Sequence, residues 1–331
     1  MIPAKVTVIN IKDNMSKIQS KLNNKGIVQF TPGIYKITKQ LIIPSDTIVD
    51  LNSAILQRKG NLQSVFLNKV TTKTTKYSGA GNITIKNGTL EGMGGYSYDN
   101  LLTFFHSHDV IIENVTFKDT LCHALEINSS EGVHVHNCNF LGYNLKDIES
   151  AYKEMIQIDH AGYSGFVLSG STKKSKCYDG TCCENIRISN CLFSKSNYRD
   201  YPYACIGEHS QLSGNHKHKN IMIHNNVFNC KLNAELVQAC LSFTAMENVD
   251  ICNNSFVCNR VARIYSKNYS YLPSGEKVEA KSGDGICNGI HFRDNTIHEC
   301  TSKTAFQIYN KSGKANHKNI QKGGNNYDNP G

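Results

Sequence analysis

Apolar and polar residues alternate in short runs along most of this chain, and one such run recurs seven times. Each copy reads apolar, variable, apolar, variable, Asn or Asp, followed by a small residue, a variable one and a large apolar one. The first copy is Ile83–Asn87, closed by Leu90, and the last is Ile290–Asp294, closed by Ile297. The copies between them are anchored at Asn114, Asn137, Asn190, Asn225 and Asn253 and closed by Phe117, Phe140, Phe193, Phe228 and Phe256. Period-two alternation predicts strands, and irregular repetition at about 20 to 50 residues predicts a repeat architecture.

The N-terminal segment has a different period. Ile11, Met15, Ile18 and Leu22 are spaced as on one face of a helix, and Gly26 can end it. A helix here would cover the open end of a stack of strands, whose unpaired edge otherwise invites aggregation. We therefore expect an N-terminal cap over residues 1–27.

Strand and turn signals continue from the cap to the polar tail. A Pro-Gly turn interrupts the run Val28–Ile37, and the repeats follow it to about residue 310. The segment from Lys311 is rich in Gly and Asn and predicts a loosely ordered tail over 311–331. The whole chain, residues 1–331, is expected to form one solenoid domain with coils over 28–310.

The net charge of the chain and the length of its apolar runs leave several classes of binding partner open. Lys and Arg outnumber Asp and Glu by 36 to 27, but the excess is spread out, without the dense basic run of a nucleic-acid groove. An acidic polymer and a generic soluble surface explain this charge equally well. No apolar run reaches the roughly 18 residues of a membrane span. Met1–Lys5 lacks a secretory apolar region, so we expect an intracellular, particle-borne or fragmentary chain.

The thirteen cysteines are an odd number, so at least one is free or paired between chains. Cys138 and Cys191 directly follow a repeat Asn, a position expected inside the solenoid, and are interpreted as core thiols. Cys177, Cys182 and Cys183 lie in a polar insertion, where a disulfide and a metal site are both open. Their spacing matches no zinc module.

The recurrent Asn has two interpretations. Asn87-Gly88-Thr89 and Asn114-Val115-Thr116 fit the glycosylation acceptor pattern. Alternatively, Asn side chains stacked in successive coils can hydrogen-bond as a ladder, with aromatic side chains stacked beside them. The sevenfold recurrence favours the ladder.

Three motifs carry a family resemblance: Val28–Tyr35, His123–Ile127 and Glu154–Asp159. With the repeats, they resemble proteins of the pectate-lyase-like superfamily, including bacterial and phage tail-spike-like members that degrade polysaccharides. The resemblance implies an all-β, single-stranded right-handed parallel β-helix. It also implies an extracellular or particle-associated protein that binds and cleaves a polysaccharide, and a homotrimer as in many spikes of this fold.

A second strand family can be placed by counting back from the repeats. Thr103, Glu126 and Ser242 each lie eleven residues before a repeat Asn. Leu-Glu-Ile-Asn ending at Asn128 then matches Ile-Gln-Ile-Asp ending at Asp159. This register places Glu126 and Asp159 as diagonal neighbours on one exposed face, roughly 7 Å apart.

Two carboxylates on one face are what glycoside hydrolysis requires, one as the acid and the other as nucleophile or base. Glu126 and Asp159 are the candidate pair, supported by His123, Glu154 and His209. The insertions Tyr143–Lys153 and Gly162–Glu184 are expected to wall a cleft. Candidate substrate-binding residues around them are Asn128, Lys153, Gln157, His160, Arg199, Tyr203 and Glu208.

Alternative functions would use the same predicted groove. A β-eliminating lyase would take His123 or His209 as base and Lys153, Arg199 or Arg263 as the cation. A hydrolase needs no cofactor, although Glu126, Glu154 and Asp159 could hold Ca²⁺. The remaining alternative is a spike protein that binds glycan without cleaving it.

His134 and His136 could chelate a metal, but a solvated strand face is the preferred interpretation. Tyr198, Tyr201 and Tyr203 could stack on sugars or pack.

Overall fold

The fold is known from a computed structural model that describes residues 6–92, 100–143, 154–208, 210–231, 239–311 and 316–328. The first part contains β1 (Val6–Ile9), α1 (Met15–Leu22), β2 (Gly26–Phe30), β3 (Ile34–Ile37), β4 (Leu41–Ile43), β5 (Thr47–Asp50), β6 (Ile55–Arg58), β7 (Ser64–Asn68), β8 (Ile83–Glu91) and β9 (Asn100–Phe105). The middle part contains β10 (His108–Thr120), β11 (Leu125–Asn128), β12 (Glu131–His136), β13 (Asn139–Tyr143), β14 (Glu154–Asp159), β15 (Glu184–Ser189), β16 (Leu192–Ser194), β17 (Ala204–Gly207), β18 (His218–His224) and β19 (Val227–Cys230). The last part contains β20 (Leu241–Phe243), β21 (Met246–Cys252), β22 (Ser255–Cys258), β23 (Ala262–Ser266), β24 (Tyr269–Tyr271), β25 (Lys277–Glu279), β26 (Asn288–Arg293), β27 (Thr296–His298), β28 (Phe306–Asn310), β29 (Lys318–Gln321) and β30 (Asn326–Tyr327).

The strands form a parallel β-helix, as predicted. Within the described residues, nineteen strands form one wide sheet and nine form a narrow sheet, with parallel pairing between successive coils. A typical coil contributes two strands to the wide sheet and one to the narrow sheet. The short antiparallel hairpin β24–β25 projects from the stack. Alternate side chains of every coil therefore point into one continuous apolar core.

The repeat Asn turns the chain between two strands of the wide sheet. Asn114, Asn137, Asn190 and Asn225 have φ between 54° and 57°, the left-handed conformation that Asn tolerates better than other non-glycine residues. This backbone requirement explains why Asn recurs at the anchor. Among the anchors, Asn114 donates a hydrogen bond to Asn87 at 3.4 Å.

The continuous ladder lies one residue later than predicted. Asn226 donates to Asn254 at 3.0 Å, Asn254 to Asn295 at 3.0 Å, and Asn295 to Asn325 at 2.8 Å. These side chains also bond to backbone groups of neighbouring coils, for example Asn254 Nδ2 to the Ile223 carbonyl. The anchor thus sets the turn, and the following Asn satisfies the backbone inside it.

The residues that close each repeat stack in the core. Phe117, Phe140, Phe193, Phe228 and Phe256 form one column with ring centroids 4.7–4.9 Å apart. All five are fully buried. The aromatic stack predicted from the repeat is confirmed.

The solenoid extends past both predicted limits of its coils. β1, inside the expected cap, pairs in parallel with β2, and α1 covers the end of the core with buried Ile18 and Leu22. Gln19 of this helix bonds to both backbone groups of Ile42 on the edge strand β4. At the other end, β29 and β30 add strands to the wide sheet within the expected tail. Among the described residues no helix is long and apolar enough to cross a membrane.

All thirteen cysteines are free thiols in the structure. Cys138 and Cys191 are at most 2% exposed in the core, as predicted. Cys177, Cys182 and Cys183 are also unpaired, so the disulfide considered for that insertion is not formed. Among the described residues, no potential metal-binding group contains any of these three cysteines.

Candidate functional site

The outer side of the narrow sheet carries the predicted site residues in the predicted register. Glu126 pairs with Gln157, and Asn128 pairs with Asp159. The row of Glu126 and Gln157 continues through Gly207, Ser242 and Arg263 on later coils. Counting back from the repeat Asn therefore placed this strand family correctly.

The expectation that this face is exposed is wrong. Glu126 is 3% exposed, and Glu154 and Asp159 are fully buried. The insertion expected to wall a cleft instead folds over the face, and we call residues 162–183 the covering segment. Its Phe166 and Tyr178 pack on Phe105, with centroid distances of 5.1 Å and 6.3 Å. A second apolar cluster outside the solenoid core results, formed by Leu67, Phe105, Ala161, Phe166, Leu168, Cys177 and Tyr178.

Hydrogen bonds fix the covering segment at both ends. The Tyr163 amide donates to the Pro273 carbonyl at 2.9 Å, beside the projecting hairpin. The Cys177 carbonyl lies 2.7 Å from His106 Nε2, and Asp179 accepts from the Lys76 amide at 2.8 Å. The segment is therefore attached to earlier and later coils alike.

Glu126 faces the preceding coil. Its carboxylate accepts hydrogen bonds from Asn100 Nδ2 and, at 3.4 Å, from Thr103 Oγ1. Asn100 also accepts a bond from the His123 amide at 3.3 Å. These contacts form a first polar group around Glu126, and its register partner Gln157 belongs to a second one around Asp159.

Asp159 lies at the centre of the second polar group. Its carboxylate accepts hydrogen bonds at 2.7 Å from Gln157 Nε2 and from the His160 amide, and His160 Nε2 lies 3.5 Å away. A Cβ atom added at Gly165 would lie 2.6 Å from Asp159 Oδ2. The glycine thus lets the covering segment approach the carboxylate closely.

Glu208 is the carboxylate that the structure brings to Asp159. Ligand atoms of Asp159, His160 and Glu208 all lie within 4.8 Å of one another. Burial raises the pKa of Glu208 well above its usual range, and the neighbouring charge of Asp159 adds to the effect. Lys267 and the Ser210 amide lower this pKa in part. Asp159 and Glu208 therefore form a close pair in which Glu208 is biased towards the protonated form.

His123 and Glu154, the candidate supporting residues, make contacts that differ from the supporting roles expected of them. His123 Nδ1 is 2.7 Å from the backbone carbonyl of Glu154, so this contact involves the Glu154 main chain. A Cβ atom added at Gly207 would lie 2.9 Å from Glu154 Cγ, which packs over that glycine. The proposed calcium ligands Glu126, Glu154 and Asp159 do not form one such group among the described residues.

Asn128 has a buried amide beside Asp159. It is fully buried, and among the described residues neither amide atom has a hydrogen-bond partner. Leaving such a group unsatisfied costs about 1–3 kcal/mol. The position therefore suits a polar ligand group better than an apolar one.

Two other candidates lie on a surface loop. Arg199 is half-buried in a turn where its amide donates to Ser196 Oγ at 2.9 Å. Tyr203 packs against the solenoid core. Tyr198 is 78% exposed, with Lys118 Nζ 5.1 Å from its ring centroid.

Lys153 and His209, both candidates from the sequence, lie outside the described residues, as does most of the insertion preceding Glu154.

His134 and His136 lie on the outer side of the wide sheet, as predicted. Arg187 pairs with His134 in register and donates to His224 at 2.8 Å. Partial desolvation lowers the pKa of His134, and the Arg187 charge adds to this effect. Neither histidine belongs to a potential metal-binding group among the described residues.

Asn100 and Lys267 were missed by the sequence reasoning. The count that placed Thr103 beside Glu126 could have found Asn100, which lies three residues earlier on the same strand. Lys267 follows β23, just after the strand that carries Arg263, and its side chain is 7% exposed. Its charge acts on Glu208 from two coils away, a relation that no local pattern reveals.

Comparison with known proteins gives one relative in sequence and several in structure. No protein-family model matches the chain. The chain is 30% identical over 259 residues to the plasmin and fibronectin-binding protein A of Streptococcus pneumoniae, across 70% of this chain and 34% of that protein. The chain thus spans about a third of the length of this curated relative.

Three solved structures illustrate the shared architecture. The surface protein and adhesin PfbA of S. pneumoniae superposes with a TM-score of 0.69 at 21% identity, covering 97% of this chain and 86% of that chain. The family 28 exopolygalacturonase of Yersinia enterocolitica gives 0.61 at 13% identity, covering 92% and 61%. The tailspike protein of E. coli bacteriophage HK620, solved with a pentasaccharide, gives 0.59 at 13% identity, covering 96% and 54%. These likenesses confirm the fold.

Proposed function

Because the chain has the right-handed parallel β-helix fold of the pectate-lyase-like superfamily, we propose that it binds an extracellular polysaccharide and hydrolyses it at Asp159 and Glu208. One observation carries the proposal. Two buried carboxylates lie side by side, and their surroundings bias one towards protonation and supply donors to the other. Such a division is what acid–base catalysis at a glycosidic bond requires.

In the proposed reaction, Glu208 donates its proton to the glycosidic oxygen as the bond to the sugar breaks. Asp159, held by Gln157 and the His160 amide, acts as the nucleophile or activates the attacking water. The unsatisfied amide of Asn128 would bond to a sugar hydroxyl. Glu126, which bonds to Asn100 and Thr103, is assigned to positioning rather than to proton transfer.

Burial sets a condition on this proposal. Asp159 and Glu208 are both fully buried in the conformation described, so a polysaccharide reaches them only after local displacement of the residues above. The covering segment lies directly over Asp159. We therefore propose that it opens to admit the glycan and excludes water when it closes.

A glycan screen followed by two variants tests the proposal. Bacterial capsular, teichoic and plant acidic polysaccharides are incubated with the protein, and new reducing ends are measured. Asp159→Asn is expected to lower the rate about 10²–10⁴-fold, with Glu208→Gln in the same range. Asp250→Asn, on the outer side of the wide sheet, is the matched control and should keep full activity. Unchanged activity in Asp159→Asn would overturn the site.

A non-catalytic adhesin is the second candidate. It is favoured by the 30% identity to a protein named for binding plasmin and fibronectin, and by the burial of the carboxylate pair. Binding of glycan, plasmin or fibronectin without any shortening of polymer would support it. Surface location, particle association and a homotrimer belong to both proposals, and light scattering tests the trimer.

The lyase alternative and calcium have separate readouts. Product absorbance from an unsaturated uronate would identify β-elimination, with Arg263, in the row of Gln157, as a candidate cation. The hydrolytic reaction proposed here needs no cofactor. Activity that is lost on chelation and restored by Ca²⁺ would indicate a calcium site instead.

A further inference from the structure

A group of buried thiols lies where one coil ends and the next begins. Cys205 is in β17, the narrow-sheet strand that starts a coil, and Cys230 ends β19, the last strand of that coil. Their Sγ atoms are 2.9 Å apart across 25 residues of sequence. Cys240, which precedes β20 on the next coil, has its Sγ within 4.8 Å of both.

We propose that Cys205 and Cys230 form a disulfide bond when the chain folds in an oxidising medium, closing this coil upon itself. The two sulfur atoms are already closer than ordinary non-bonded contact, so the bond requires only a small movement of the side chains. A disulfide is neutral, which suits the apolar interior in which both thiols lie.

A low-molecular-weight disulfide such as oxidised glutathione serves as the oxidant. Cys230, the more accessible thiol at 6% exposure, loses its proton and attacks one sulfur of the oxidant, which releases one small thiol. Cys205 then attacks the mixed disulfide, loses its proton and releases the second small thiol. Two protein thiols are oxidised and one small disulfide is reduced. Because Cys205 is fully buried, the exchange takes place during folding, before the coil closes.

A thiophilic metal ion is the competing occupant of Cys205, Cys230 and Cys240. Metal binding needs thiolates, and burial opposes them. Burial raises the pKa of Cys205 and Cys230 well above the usual range, and raises that of Cys240 to about 11. The site thus favours neutral forms of sulfur.

Thiol mapping of the full chain tests the bond. The chain is refolded with oxidised and reduced glutathione, its free thiols are blocked, and it is digested without reduction for mass spectrometry. We expect a peptide pair joined through Cys205 and Cys230, and two fewer free thiols than the thirteen of the sequence. Thirteen free thiols, a bond to Cys240 instead, or stoichiometric metal by elemental analysis would each overturn the proposal.

Stability supplies a second readout with a matched control. Reduction of the native disulfide should lower the Tm by about 5–10 °C, and Cys230→Ala should abolish this difference. Cys287→Ala is the control, because Cys287 is also a fully buried thiol, and the neighbours that shift its pKa are Met246, Glu208 and Lys217 rather than a cysteine. It should retain the full redox shift. These measurements do not depend on glycan cleavage, so the two proposals fail separately.

Discussion

The outer sides of the two sheets show what the same strand pattern can become. Along the wide sheet, His134, Arg187 and Met222 alternate with core residues and are exposed to solvent. Along the narrow sheet, Glu126 and Gln157 alternate with core residues in the same way and are buried. The difference arises outside the strands, because the covering segment, with the hairpin attached to it, folds over the narrow sheet alone.

This contrast changes the energetics of every polar residue involved. Asp250 and Arg293 on the wide sheet form an ion pair at 2.6 Å in contact with water, which screens it. Asp159 and Glu208 on the narrow sheet are desolvated, so each must be neutralised or hydrogen-bonded. Buried carboxylates of this kind are costly to the fold and are typical of functional sites.

Removing the main apolar anchor of the covering segment should have the largest effect. Phe166→Ala is expected to destabilise the protein by about 3–5 kcal/mol, since a buried aromatic ring that packs on Phe105 is lost. Urea melts give the free energy of unfolding, and limited proteolysis shows whether the segment opens locally. Ile111→Ala, on the exposed side of β10, is the control. Equal losses in both variants would mean that the two faces do not differ.

Closing the gap above Asp159 should cost less. Gly165→Ala places a methyl group 2.6 Å from Asp159 Oδ2, which accepts a hydrogen bond from Gln157, so we expect a loss of about 1–3 kcal/mol. Gly323→Ala, where no atom lies within 4 Å of the new methyl group, should be nearly neutral. A neutral Gly165→Ala would show that the segment does not press on the carboxylate in solution.

The pH dependence of stability should carry the signature of Glu208. Its folded-state pKa is raised above the ordinary 4.5, so its stabilising contribution is complete below that pH and is lost as pH rises towards the folded-state value. Glu208→Gln should therefore melt at a higher Tm than the wild type, by a margin that grows as the pH rises above the ordinary pKa of 4.5. A constant margin would contradict the raised pKa.

Breaking an ion pair on the wide sheet should have the smallest effect. Arg293→Ala removes bonds to Asp250 that are half exposed, and the change in Tm should lie within the scatter of replicate melts. Thermal unfolding followed by circular dichroism is sufficient. A loss comparable to that of Gly165→Ala would place this face among the buried ones.

The sequence predicted the strands, their register and the core because these depend on local alternation and on a fixed repeat. Counting positions from the repeat Asn, together with the alternation of inward and outward side chains, was enough to predict the pairing of Glu126 with Gln157. The burial of that row was not predictable in the same way, since Phe166 and Tyr178 reach Phe105 from an insertion without periodicity. Strand counting placed Glu208 on the coil after Asp159, but it did not identify these two, rather than Glu126 and Asp159, as the close carboxylate pair.

The left-handed Asn corner makes the coils interchangeable. The repeat anchors share one left-handed backbone conformation, and in the later coils a buried Asn such as Asn254 follows the anchor and bonds to the coils on either side. Gain or loss of a whole coil would preserve these junctions, whereas any fraction of a coil would break them. Evolution can therefore lengthen such a protein in steps of about 4.8 Å, and extend the length of its sheets without redesigning its cross-section.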